Sequence, residues 1–192
     1  MSSYYDSFYT LTNIKMKNRK YVLAGIAGAL LIGGVAVTSG SGYLQGRFDT
    51  SADLTRAEVV EAVVLAALGE QTATCGDFSD VPTTASYNPY VCAALDYGLI
   101  TGDEDGTFGP EDFYTRSETA KIVYEAFGLD YTCEVPKLYR DVALDSWYAE
   151  YVNDLGIRSV YQADVKIGAA FRPDDLITEN ALDIWLDGAV GM

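Results

Sequence analysis

The chain of 192 residues contains no histidine. Without imidazole there is no Ser-His-Asp or Cys-His relay, no histidine metal ligand, and no side chain that ordinarily titrates near neutral pH. Basic residues are scarce as well, 13 against 28 acidic ones. Four of the 13 (Lys15, Lys17, Arg19, Lys20) and one acid, Asp6, fall in residues 1–40. Residues 41–192 therefore hold nine bases against 27 acids, a net charge of −18. A field of that sign repels phosphate backbones, so nucleic acid is not an expected partner. It suits a solvated extracytoplasmic surface or partners that carry cations. Asp and Glu remain as candidate acids and bases, but no spacing singles out a catalytic pair, and no cofactor is expected.

Charge is also missing locally. Tyr21–Val37 is a run of 17 uncharged residues rich in Ala, Gly, Leu, Ile and Val. It follows the basic Lys17-Asn18-Arg19-Lys20 and leads into Thr38-Ser39-Gly40-Ser41-Gly42. A basic flank, an apolar stretch and a small-residue exit describe a signal peptide. The length also fits marginally with a membrane span, so residues 1–40 are expected to be a cleaved signal or an N-terminal hydrophobic anchor helix through residues 21–37. Met16 offers an alternative start with an ordinary signal-peptide flank. A buried core helix is the weaker reading, because Gly25, Gly28, Gly33 and Gly34 suit a helix interior poorly. No cysteine follows the run, which argues against a lipoprotein.

There are three cysteines, Cys75, Cys92 and Cys133. An exported protein can oxidise them. Cys75–Cys92 is the favoured disulfide, since Cys75 and Cys133 sit at similar places in successive repeats and Cys92 falls in the helix after Cys75. Three buried thiols are the alternative. In the chain-entropy picture such a bridge stabilises by roughly 3 kcal/mol.

A 13-residue pattern occurs three times. Gly46-Arg47-Phe48 leads to Leu54-Thr55-Arg56-Ala57-Glu58, Gly106-Thr107-Phe108 to Tyr114-Thr115-Arg116-Ser117-Glu118, and Ala169-Ala170-Phe171 to Ile177-Thr178-Glu179-Asn180. Regular spacing of this kind indicates one structural unit used repeatedly, its apolar faces buried against one another. Thr55 with Glu58, and Thr115 with Glu118, predict capping boxes at helix starts. The third copy has Ala181 in place of the Glu, which predicts a weaker cap. From each Thr an apolar stripe follows at helical spacing, with Ala66, Ala126 and Ala189 at the same step, and this predicts three related core helices. Upstream, Phe78-Ser79-Asp80-Val81 matches Tyr139-Arg140-Asp141-Val142 and precedes a first helix through Val91 or Val152. Asp103-Glu104-Asp105-Gly106 has the acids of a calcium loop but lacks its twelve-residue spacing, so it is read as a tight turn and no metal is expected.

These residues resemble the S-layer homology family, whose repeat runs Phe-x-Asp-Val, a Trp, an apolar helix, Asp-Gly-Thr-Phe-x-Pro and Ile-Thr-Arg-Ala-Glu. The resemblance covers a half repeat at 46–69, a repeat at 78–129 and a repeat at 139–190, within a domain spanning 41–192. Repeat two has Ser86 at the Trp position, while repeat three keeps Trp147 and replaces the Arg with Glu179. The resemblance implies a mainly α, pseudo-threefold helical repeat domain of about 2.5 repeats. It implies a non-catalytic cell-envelope module that binds cell-wall polysaccharide, often pyruvylated. Arg56, Arg116, Thr55, Thr115, Gly106 and Trp147 are the implied glycan contacts. A guanidinium fork suits a sugar carboxylate; Glu179 would repel one. For each Arg the plain alternative is a surface residue in a helix's first turn, paired with a nearby acid. The alternative function is a structural assembly subunit packing against copies of itself or another envelope protein. A carboxylate-dependent glycan hydrolase is a third and weaker reading.

Overall fold

The computed structural model describes residues 52–130 and 136–192. The expected signal or anchor at 1–40, the Phe48 segment and Cys133 lie outside the described residues. Within them, five helices account for the regular structure: α1 (Arg56–Leu68), α2 (Asn88–Asp96), α3 (Arg116–Ala126), α4 (Ala149–Ile157) and α5 (Glu179–Val190). Among the described residues there is no sheet, only three isolated bridges. No described helix is long and apolar enough to cross a membrane.

The sequence explains where the longer helices start. The Thr55 hydroxyl accepts from Glu58 N at 3.4 Å, and the Glu58 carboxylate accepts from Thr55 N at 2.8 Å. Thr115 and Glu118 repeat this at 3.3 and 2.8 Å. On α5, Thr178 accepts from Ala181 N alone, so that cap is half of the others. The remaining orphan N–H groups are met by the chain itself. Arg56 N donates to Asp112 O, Arg116 N to Asp175 O, and Glu179 N to Ala52 O, at 2.7, 2.8 and 3.3 Å. Each cap is thus tied to the segment before another cap, and the third returns to the first.

The short helices α2 and α4 start without a side-chain cap. They are held by packing and by tethers to the chain entering them. α1 packs against α2, α3 and α5, and α3 packs against α4. Buried residues surround nearly the whole of α1, including Val59, Val60, Val63 and Val64. Cys92 on α2 bonds covalently to Cys75. At the matching step of α4, Asn153 accepts from Leu138 N at 2.8 Å instead.

The Phe-x-Asp-Val element has a clear physical role. Asp80 accepts from Phe108 N and Gly109 N at 2.8 and 2.7 Å, and Asp141 accepts from Phe171 N and Arg172 N at 2.7 and 2.8 Å. One carboxylate therefore fastens the start of each repeat to the turn before its second helix. Burial raises the Asp141 pKa, but the two backbone N–H groups outweigh it and hold the carboxyl below its usual value. Gly102 lies where a Cβ would come within 2.3 Å of the Phe78 ring, at φ 69°, so the turn beside this clamp demands glycine.

Candidate functional site

Arg56 and Arg116 both open a capped helix, at the same step of the repeat. Both guanidinium groups lie against two aromatic rings. Arg56 Cζ is 5.1 Å from the centroid of Phe108 and 4.6 Å from that of Tyr114. Arg116 Cζ is 5.0 Å from each of Phe171 and Trp185. Rings at this range attract a cation and hold a guanidinium flat.

Their polar surroundings differ. Arg116, one of the implied glycan contacts, is buried. Its Nη2 donates to Asp164 Oδ2 at 2.7 Å, and its Nε to the Phe171 carbonyl at 2.9 Å. Trp185 Nε1 donates to the same Asp164 oxygen at 2.9 Å. The side chains of Arg116 and Asp164 are 4% and 12% exposed. Arg56 has no ion-pair partner among the described residues, and its Nε is buried without an acceptor. A buried donor without an acceptor costs the desolvation of that group, on the order of 1–3 kcal/mol.

Arg56 lines a cleft of about 330 Å³ with Tyr114, Asp103, Lys121 and Trp147. Leu99, Ile100 and Ile122 are its apolar lining, and Gly98, Thr101, Gly102 and Glu118 complete it. Trp147 is 58% exposed and braced edge-on by Tyr148 at 5.3 Å. Burial raises the Tyr114 hydroxyl to a pKa of about 12, against the opposing pull of the Arg56 cation, so Tyr114 is a neutral group here.

Of the residues implied by resemblance, the structure brings Arg56 and Trp147 to one cleft. Thr55 and Thr115 hold their caps, each hydroxyl also donating to its own Glu. Gly106 sits in the turn at φ 80° and is not part of the cleft lining. Glu179 is buried at the start of α5. Sequence reasoning missed Asp103, Lys121 and Tyr114 at the cleft, and Asp164 on Arg116. The one available signal for Asp164 was its spacing: it lies five residues beyond Ser159, as Asp103 lies five beyond Gly98.

Residues 77–120, which run from the Asp80 clamp through α2 to the first turns of α3, match the model of the S-layer homology domain. Over this segment the chain matches an S-layer homology domain. It is also 32% identical over 108 residues to the Surface-layer 125 kDa protein of Lysinibacillus sphaericus, a match covering 56% of this chain and 9% of that relative. The chain thus spans a small part of that relative's length. Both likenesses place the chain with surface-associated proteins of the cell envelope. The matched segment of the S-layer homology domain supplies most of the Arg56 cleft, from Gly98 to Glu118. Arg56, Lys121, Ile122 and Trp147 come from outside it.

Proposed function

We propose that this chain is a non-catalytic cell-envelope module that binds cell-wall polysaccharide through the Arg56 cleft. The observation that carries the reading is the Arg56 guanidinium: lying against two rings, lining a cleft, and lacking among the described residues the carboxylate that its counterpart Arg116 has. An acidic sugar substituent such as a pyruvate ketal supplies that carboxylate. Lys121, itself paired with Glu125 at 3.7 Å, adds a second cation, and the exposed Trp147 face suits the apolar side of a sugar ring. The net charge of the domain opposes an anionic polymer at long range, so recognition depends on these local cations.

The cyclic hydrogen bonds among the three caps support a pseudo-threefold arrangement of about 2.5 repeats. Export through residues 1–40, cleaved or retained as an anchor, belongs to the same proposal. The test is a pull-down on purified sacculi carrying or stripped of their secondary polymer. Wild-type protein binds only the former. Arg56→Ala weakens binding by roughly 1.5–3 kcal/mol, the worth of a charged hydrogen bond. Equal retention on stripped sacculi, or an unchanged affinity of Arg56→Ala, rules the reading out.

A further inference from the structure

We propose that the pocket around Arg116 is a carboxylate-binding site whose resident ligand is the chain's own Asp164, which closes it to outside anions. Two arginines of the chain are equivalent. Both are the first residue of a capped helix, and both lie against the Phe that precedes their neighbour's cap, Phe108 or Phe171. Two acids are equivalent as well. Gly98 and Ser159 share a left-handed φ of 71°, and Asp103 and Asp164 follow them at the same interval. From that point the loops diverge. Phe171 lies seven positions after Asp164, but Phe108 only five after Asp103.

The longer loop sets Asp164 on the guanidinium. A backbone turn holds it there, with Asp164 N donating to Tyr161 O at 2.8 Å. Trp185 stands where the preceding repeat has Ile122, counted from each cap Thr, and its Nε1 adds a second donor to Asp164 Oδ2. The pocket thus presents an arginine, an indole N–H and aromatic walls to a single carboxylate group. A planar monoanion that accepts from both donors at one oxygen fits, and here it arrives covalently attached. Among the described residues, the Arg56 cleft is the same device without an internal ligand. The proposal concerns Arg116 alone and stands whether or not the Arg56 cleft takes a glycan.

The experiment is chemical rescue. Asp164→Ala removes the carboxylate and leaves a formate-sized gap; Asp164→Gly leaves an acetate-sized one. Either variant leaves a buried cation unpaired, and its thermal midpoint falls by roughly 10 °C or more. Added formate restores Asp164→Ala, and added acetate restores Asp164→Gly, each midpoint rising with the logarithm of the anion concentration. Sodium chloride at equal ionic strength does not. Asp164→Asn fills the space and gains nothing from either anion. If a variant is too unstable to fold, refolding is followed by circular dichroism as the matched anion is titrated in, and the same selectivity is expected. Variants as stable as wild type overturn the proposal. So do variants that respond to chloride as well as to carboxylates, or that no carboxylate restores.

Discussion

The two arginine sites are built on one pattern and differ in what completes them. Arg116 lies against Phe171 and Trp185 and is paired with Asp164, while Arg56 lies against Phe108 and Tyr114 and is paired with no described acid. Around Arg116 the aromatic packing is dense. Tyr139, Tyr161, Phe171 and Trp185 meet with ring centroids 4.6 to 6.3 Å apart. The matching positions of the preceding repeat hold Phe78, Ile100, Phe108 and Ile122, with one ring pair at 5.6 Å. The lesson is that a repeated motif does not imply a repeated role. In one copy the arginine has become a strut of the core, and in the other it remains available at a cleft.

The sharpest way to break this contrast is to truncate both arginines. Arg116→Ala leaves Asp164 mostly buried without its cation and should destabilise by roughly 3–5 kcal/mol in urea unfolding. Arg56→Ala removes a group with no ion-pair partner among the described residues and should shift stability by no more than about 1 kcal/mol. Equal losses would end the distinction between strut and ligand group.

The second contrast is between tethers. Cys92→Ser opens a disulfide spanning 17 residues and should cost roughly 3 kcal/mol. Asn153→Ala loses the equivalent hydrogen bond in the next repeat and should cost about 1–2 kcal/mol. Denaturant midpoints of the two variants, taken under oxidising conditions, test that order.

Third, the later repeat carries Ser159 and Arg172 in left-handed backbone, at φ 71° and 60°, where the earlier one has Gly98 and Gly109 at 71° and 67°. Ser159→Gly and Arg172→Gly should each stabilise by about 0.5–1 kcal/mol, because glycine adopts that region without the Cβ clash. Neutral or destabilising effects would show that these side chains repay their strain by other contacts.

The smallest effect is in acid. The folded pKa of Asp141 is lowered, so its contribution is fully present above the unfolded value and is lost as pH falls through the folded one. The acid limb of the stability curve, below about pH 4, should therefore flatten in Asp141→Asn. An unchanged limb would mean that the clamp to Phe171 N and Arg172 N is not coupled to protonation.

Much of the fold was legible because it is governed by short-range rules. A Thr and a Glu three residues apart satisfy each other's backbone, so Thr55 and Thr115 announced their helices, and Ala181 announced a half-made cap at Thr178. Stripe spacing pointed to the buried faces of α1, α3 and α5. The favoured Cys75–Cys92 pair is the one the structure contains. The site was less legible. Arg56 and Arg116 look alike in sequence because their local surroundings are alike.

What separates them is distant along the chain. Asp164 reaches Arg116 across 48 residues, and the Phe171 carbonyl reaches it across 55. Trp147 comes to the Arg56 cleft from another repeat. Sequence by itself determined the periodic parts: caps, turns and helix faces, each set by neighbours a few residues away. Tertiary structure alone decided which arginine was buried. That choice depends on a loop two residues longer carrying a carboxylate into a pocket of rings, and burial of an ion pair is settled by the whole surrounding shell.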